Sequence, residues 1–530
     1  MRHENDTKRG WKETLTSWGH PRAVTMLFLG FSAGIPILLI FSTLSVWLRE
    51  AGVSRSAVTF FSWAALGYSF KFIWAPLIDL LPLPLLTRIL GRRRSWLLVS
   101  QLMIIAAICW MGLTDPVLSP TSLTSMAMAA VLLGFSSATQ DIVIDAYRIE
   151  SAEQSLQAML ASMYIAGYRV GMLVAGAGSL YLASWIGTSR EAYNFSAWQG
   201  TYFIMAGIML LGVMTTLVII EPNRAKSNKL HEYTVGQYCR IVGLFLCMVM
   251  AFVTTFFNLG NLTVGWKSVM TAQLPLSGVI LGFLIEAFRF GVALAAAALV
   301  AAILVRLNLV DRPMVRQTYV MPVKDFFQRY SMRSAVLLLV LVGFYRISDI
   351  VLGVVSNVFY VDLGFTNNEI ATITKTFGLV MTLAGGFLGG MLTIRYGVMR
   401  ILFVGALLSA ATNLLFMVLA SAGADISMLT LVIAADNLSA GLASTAFVAF
   451  LSALTSVSFT AVQYAIFSSV MTLFPKLIGG YSGSMVSSLG YETFFLITAG
   501  VGVPVLLLIW MVREEKGLQT ADATSSKKEK

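Results

Sequence analysis

Residues 22–48 read RAVTMLFLGFSAGIPILLIFSTLSVWL, an apolar run whose only charge is Arg22 at its start. A helix rises 1.5 Å per residue, so about 20 apolar residues cross the ~30 Å of hydrocarbon in a bilayer. The run is longer than a signal-peptide core, no small-residue cleavage site follows it, and Trp47 and Arg49 sit where interfacial anchors belong. It is therefore expected to stay as a first membrane helix. The same texture continues outward: the 530 residues are 57% hydrophobic and only 12% charged. A soluble domain carries roughly 25% charged residues. With a mean hydropathy of +0.79, the chain is excluded from the soluble, collagen-like, disordered and disulfide-scaffold classes. An all-α polytopic membrane protein is expected.

Further apolar runs predict spans near 57–81, 95–113, 121–147, 157–186, 198–220, 237–258, 276–305, 334–361, 368–394, 399–421, 426–453, 457–482 and 490–512, about fourteen in all. They fall into six, two and six. The expected organisation is a cytoplasmic N-terminal segment (1–21), a six-helix bundle (22–220), linkers with an inserted two-helix hairpin (221–333), a second six-helix bundle (334–512) and a cytoplasmic tail (513–530). With both termini cytoplasmic, about 27 of the 37 Lys and Arg lie in cytoplasmic segments and about four outside. Topology thus explains the pI near 9.5, and nucleic acid is not needed. An even number of inserted spans returns the chain to the same side, so the two bundles insert in the same sense. The insert ends in GVALAAAALVAAILV and reads as a packing or lipid-facing hairpin, with Glu286 and Arg289 three apart and able to neutralise each other.

Cys109, Cys239 and Cys247 lie in or beside apolar runs without metal or disulfide spacing, and His3, His20 and His231 lie outside the spans. An enzyme acting on lipid-linked sugars would need a nucleophile, a general base or a metal cluster at the membrane surface, and this pattern argues against one. No catalytic or metal residue is expected. Ionisable residues at membrane depth cost a few kcal/mol each and mark sites or pathways. They are Lys71, Asp141, Asp145, Arg169, Arg346, Asp349, Lys375 and Asp436, with Asp79 and Lys476 nearer span ends.

In SSATQDIVIDAYR, Gln140, Asp141 and Asp145 share or flank one helical face, and the two acids are one turn apart. Mutual repulsion raises the pKa of one carboxylate, as proton coupling requires, unless Arg148 and Arg169 lock both as ion pairs. Both readings stand. Arg169 lies in YIAGYRVGMLVAGAG, where Gly167, Gly171, Gly176 and Gly178 invite close helix approach; it reads as a partner of Asp141 or of an anionic ligand. Tyr68 to Trp74 and Phe344 to Asp349 each flank a cation, Lys71 or Arg346, with aromatic rings. Such a site suits an anionic ligand with flat sugar faces, although core packing accounts for most of the rings. Lys375, Asn437 and Gln463 are further polar candidates. Asp79 followed by Gly91-Arg92-Arg93-Arg94 reads as an acid, a glycine and a basic run between spans two and three, echoed without the acid at Gly389-Gly390 to Arg395-Tyr396-Gly397.

The strings FKFIWAPLID, GRRRSWLL, SSATQDIVIDA, GYRVGMLVAG, Trp198-Gln199-Gly200, KTFGLV and NLSAGLASTAFVA together resemble the AmpG muropeptide permeases of the major facilitator superfamily. The resemblance covers roughly 20–220 and 325–512, and the inserted hairpin is absent from shorter members of the family. It implies the major facilitator fold, with two six-helix bundles and two extra transmembrane helices between them. It also implies a monomeric, multi-pass permease of the bacterial inner membrane, driven by the proton gradient without a bound cofactor. The imported ligands would be anhydromuropeptides, N-acetylglucosaminyl-anhydro-N-acetylmuramic acid with or without a stem peptide, for peptidoglycan recycling and β-lactamase induction. A transporter of another amphipathic anion, such as acetyl-CoA, is the alternative. On this reading Lys71, Arg169, Arg346 and Lys375 meet carboxylates. Tyr68, Trp74, Tyr164, Tyr168 and Tyr345 meet sugars, with Gln140, Asn437 and Gln463 as polar contacts. Asp141, Asp145 and Asp349 couple protons, and Asp79 with Gly91 to Arg94 serves the gate.

Overall fold

The computed structural model describes residues 19–53, 61, 66–119, 121–189, 192–222, 233–273, 278–366, 369–479 and 482–513. Among these the chain is helical and contains no strand. That follows from the apolar runs, because only a helix satisfies every backbone N–H and C=O within one segment in lipid. The long helices are α1 (Pro21–Ile40), α2 (Arg92–Leu113), α3 (Ser122–Ser151), α4 (Gln157–Leu173), α5 (Phe195–Val218), α6 (Val235–Gln273) and α7 (Gly278–Arg306). After the linker come α8 (Met332–Phe344), α9 (Ile347–Asp362), α10 (Gly378–Tyr396), α11 (Val398–Ala422), α12 (Ile426–Leu454), α13 (Thr460–Gly479) and α14 (Ser482–Arg513).

Twelve helices among the described residues are long and apolar enough to cross a membrane, against the fourteen spans expected. The difference falls at two places. The expected span 57–81 is broken into Leu66–Phe70, a 3-10 turn at Lys71–Ile73 and a restart at Ala75–Leu80. Pro76 has no N–H to offer the Phe72 carbonyl and its ring crowds that carbonyl, so it tolerates only the first turn of a helix, which explains the restart. Residues 54–60 and 62–65 lie outside the described residues. The expected span 457–482 yields only a shorter apolar helix, Val457–Leu473.

The chain divides into two compact units, one of residues 1–78, 82–225 and 326–530, the other of residues 79–81 and 226–325. The first holds both bundles. In the N-terminal bundle the core centres on Trp47 stacked on Trp198, with ring centroids 5.6 Å apart. The Trp198 Nε1–H donates to Glu50 at 3.0 Å and the Tyr202 hydroxyl to the Leu39 carbonyl at 3.1 Å, so these large rings bury no unpaired donor. The C-terminal bundle is centred on Phe359, Phe416, Phe447, Phe467 and Phe495.

Within each bundle one helix pair approaches backbone to backbone. A Cβ on Gly30 or Gly34 of α1 would collide with the carbonyls of Tyr164 and Tyr168, and one on Gly167 or Gly171 of α4 with those of Leu27 and Phe31. Two small-xxx-small faces therefore interlock, and the fit fixes the rotation of α4 and hence where Tyr164, Tyr168 and Arg169 project. In the C-terminal bundle Gly385 of α10 meets the Leu438 carbonyl, and Gly441 of α12 meets that of Thr382.

The second unit is the hairpin of α6 and α7 with its flanking segments. Arg289 donates to the Phe256 carbonyl at 2.9 Å and its guanidinium lies 4.3 Å from the Phe256 ring centre. The side chain of its expected partner Glu286 lies outside the described residues. Leu246, Met250, Val253, Phe257, Phe288, Leu299 and Ile303 are exposed, as on a lipid-facing surface.

Candidate functional site

The site begins on α3, where Gln140, Asp141, Asp145 and Arg148 are all buried. The 3-10 turn at Lys71–Ile73 delivers Lys71 to this helix, and its Nζ lies 3.6 Å from Asp145 Oδ2. Arg148 Nη2 lies 3.4 Å from Asp145 Oδ1 on the other side. Asp145 thus holds two cations. Asp141 also feels Lys71 and accepts a hydrogen bond from Tyr164, while its Oδ1 has no partner. Gln140 is fully buried, and neither its amide oxygen nor its nitrogen is hydrogen-bonded. Tyr168 lies beside Tyr164, ring centroids 6.0 Å apart. Tyr68 belongs to the same wall and donates to Ser137 Oγ at 2.6 Å.

Across from this wall lies a second charged group. Arg346, between α8 and α9, lies 3.0 Å from Asp349 Oδ2 and donates to Ser444 Oγ on α12 at 2.5 Å. Asp349 also accepts from Ser409. Asp436 accepts from Thr412 Oγ1 at 3.3 Å and feels Asp349 and Arg346. Half-buried Arg169, expected as a partner of Asp141, forms no ion pair among the described residues and instead feels the charge of Arg346. The reason is rotational: the glycine fit turns Tyr164 and Tyr168 toward Asp141 and leaves Arg169 facing the other bundle's guanidinium.

Five expected ligand contacts are placed differently. The Trp74 indole donates to Thr139 Oγ1 at 3.1 Å and packs on Phe135, 4.9 Å between ring centroids. Tyr345 stacks on Phe447 at 4.4 Å and donates to the Leu402 carbonyl at 3.1 Å, so it belongs to the core. Asn437 clamps α12 to α10, accepting from Thr382 Oγ1 at 2.9 Å. The Gln463 oxygen is taken by Arg329 and the Ser456 N–H, each at 2.8 Å. Lys375 is exposed in a π-helical turn and donates to Asn357 Oδ1 at 2.9 Å. The Lys476 side chain lies outside the described residues.

The basic run is gripped by acids that the motif did not name. Gly91 has φ +88, the backbone that lets the N–H groups of Arg93 and Arg94 point together at Glu221, at 2.8 and 3.1 Å. Arg93 makes a bidentate pair with Glu150, 3.0 and 2.5 Å, while Arg92 approaches the same carboxylate at 3.6 Å. Asp79 falls in the second unit. The network crosses to the other bundle: Arg93 donates to Thr460 at 2.9 Å, Thr460 bonds Glu150, Arg148 donates to Ser452 at 2.7 Å and lies over the Tyr464 ring. Ser162 donates to the Gly386 carbonyl at 2.9 Å nearby. Glu150, two residues beyond Arg148, was the one signal in the sequence that could have pointed to this latch.

The sequence model of the Major Facilitator Superfamily matches residues 23–361 and 337–529. A transporter designated AmpG 4 of Rickettsia conorii is 30% identical over 488 residues, 92% of this chain and 95% of that one. The anhydromuropeptide permease of Escherichia coli is 28% identical over 496 residues, 93% of this chain and 80% of that one. Among solved structures, a proton:xylose symporter superposes with a TM-score of 0.58 at 13% identity, covering 96% of this chain and 98% of that one. The fucose:proton symporter of Escherichia coli gives 0.57 at 11% identity, covering 92% and 98%.

Proposed function

Because the chain belongs to the AmpG permeases of the Major Facilitator Superfamily, we propose that it imports anhydromuropeptides across the bacterial inner membrane, as a monomer driven by the proton gradient without a bound cofactor. The observation that carries the ligand class is Arg169, a guanidinium with no ion-pair carboxylate among the described residues and within reach of the charge of Arg346 on the other bundle. Two guanidiniums in a low-dielectric space call for an anionic group, and a bidentate carboxylate answers them. Tyr68, Tyr164 and Tyr168 beside them offer hydroxyls and ring faces to a sugar. A ligand carrying several phosphates, such as acetyl-CoA, would need more free cations than these, since Lys71 and Arg148 are engaged by Asp145.

Asp141 is the proton-coupling candidate of the N-terminal bundle. It is the carboxylate whose partner is a hydroxyl, with one oxygen unpaired, whereas Asp145 is held by two cations. The latch of Arg93, Glu150, Thr460, Arg148 and Ser452 closes the end that carries the basic run, the cytoplasmic end by the positive-inside rule. The conformation is then closed inward, and import proceeds by rocking the bundles about a midplane site. Uptake of labelled N-acetylglucosaminyl-anhydro-N-acetylmuramic acid into proteoliposomes tests the assignment. Accumulation is expected with an inward proton gradient and should collapse on adding an uncoupler. No uptake with the gradient present would overturn the substrate, leaving the family untouched.

A further inference from the structure

Between the bundles Arg346 stands with two carboxylates, Asp349 and Asp436, and its charge also reaches Arg169 of α4. Their bonds are unequal. Asp349 has Arg346 at 3.0 Å and the Ser409 hydroxyl. Asp436 has only the Thr412 hydroxyl at 3.3 Å and no ion pair among the described residues. Ser409 and Thr412 are three apart on α11, so the carboxylates they hold are brought about one helical turn apart, roughly 5–6 Å. Asn413, next on that face, is 1% exposed; its amide donates to Ser348 Oγ at 2.7 Å and its Oδ1 has no hydrogen-bond partner. The region therefore contains a carboxylate short of donors, and a proton on its oxygen relieves that shortage.

The charge balance of this group turns on the ligand. Empty, Arg346 answers two carboxylates, and Arg169, whose charge reaches Arg346, is the second positive. A ligand carboxylate drawn to Arg169 and Arg346 leaves one uncompensated negative charge, and such a charge at membrane depth costs several kcal/mol. A proton restores the balance. Asp349 keeps its share of Arg346, so the proton goes to the carboxylate without a cation. The other groups on the surrounding elements do not replace it. Tyr360 of α9 is a neighbour of Asp436 that brings no positive charge, and Lys375 is turned to Asn357. Tyr464 of α13 lies under Arg148, and Tyr164 and Tyr168 of α4 face Asp141.

We propose that Asp436 takes up a proton when a ligand carboxylate binds Arg169 and Arg346, a second proton site beyond Asp141 and one tied to the substrate itself. The inference rests on the reading of the ligand as a carboxylate-bearing saccharide. Coupling then needs no relay between the bundles. The anion and the proton bind one charge group, and by linkage each raises the affinity for the other equally.

Titration calorimetry of the full-length protein, in buffers of different ionisation enthalpy, counts the protons taken up on binding. The probes are N-acetylglucosaminyl-anhydro-N-acetylmuramic acid and its methyl ester. The acid should bind with uptake of about one proton, its affinity falling roughly tenfold per pH unit above the titration of Asp436, and the ester with none. Asp436→Asn should bind the acid with no uptake and a flat pH profile, and Asp436→Glu should restore the uptake. Undiminished uptake in Asp436→Asn, or uptake with the ester, overturns the inference and leaves the substrate standing. If neither probe binds the parent protein, the substrate reading falls and the inference with it. Should Asp436→Asn fail to fold, the acid and ester compared on the parent protein still decide whether the proton follows the carboxylate.

Discussion

Asp141 and Asp145 are one helical turn apart and carry the same charge, yet their substitutions should differ in kind. Asp145 lies between Lys71 and Arg148, whose side chains are 9% and 0% exposed. Removing its charge strands two buried cations, a loss on the order of 3–5 kcal/mol when a buried pair is broken. Asp145→Asn should therefore reduce the yield of folded protein, seen as a lowered midpoint in a thermal-shift assay in detergent. Asp141 holds a hydroxyl rather than a cation at bonding distance, so Asp141→Asn should fold normally and bind ligand. It should lose uphill accumulation, with exchange of labelled for unlabelled substrate preserved. Normal proton-driven accumulation in Asp141→Asn would remove it from the coupling site. Arg169 belongs to the same scale. Arg169→Ala should weaken binding of the carboxylate probe by roughly 10- to 100-fold, the equivalent of a charge-assisted hydrogen bond of about 1.5–3 kcal/mol, and should leave the methyl ester nearly unaffected.

The elements that aim these side chains depend on contacts without side chains. Gly167 and Gly171 let α4 settle onto the backbone of α1, and a Cβ at either would overlap a main-chain carbonyl that cannot move aside. Gly167→Val should push the helices apart at a cost of about 1–3 kcal/mol or more, losing folded protein or, in what folds, ligand binding. Gly178 has no atom closer than 3.9 Å to its Cβ position, so Gly178→Ala should be tolerated in the same thermal-shift assay. This contrast also marks how far the sequence could be read. The apolar runs located most of the long helices, because lipid leaves the backbone no alternative to a helix, but α6 runs on to Gln273 and α14 begins at Ser482, well outside the runs at 237–258 and 490–512. The acids of α3 were legible from their i, i+4 spacing. Rotation was not: Tyr345 and Arg346 are adjacent and so point to different faces, and only the packed bundle tells that Tyr345 turns to the core. Pairings between distant segments were hidden for the same reason, Lys71 with Asp145 and Glu150 with Thr460 being joined only in three dimensions.

At the scale of the whole transporter unit, the two bundles are tied by polar contacts at the end bearing the basic run, where Arg93 and Glu150 share Thr460 and Arg148 reaches Ser452. Most of this network lies inside one bundle; it crosses through the hydroxyls of Thr460 and Ser452 and through Arg148 over the Tyr464 ring, with Ser162 on the Gly386 carbonyl nearby. Thr460→Val and Ser452→Ala would remove the hydroxyls that receive Arg93 and Arg148 across the seam while sparing the Arg93–Glu150 and Arg148–Asp145 pairs. Hydrogen bonds to charged groups contribute about 1.5–3 kcal/mol each, and each 1.4 kcal/mol shifts a two-state ratio tenfold. The double variant should thus move the population toward a form open at this end by roughly 100-fold or more. Spin labels at Ile89 and Val457, both exposed, would report it as a longer inter-label distance in the unliganded protein. The same variant should bind ligand from the opposite side more weakly, because the form that admits it there becomes the minor one. An unchanged distance distribution would show that the hydroxyl crossings do not set the balance between the two forms, and would shift that role to the apolar contacts of α3 with α13 and α4 with α10.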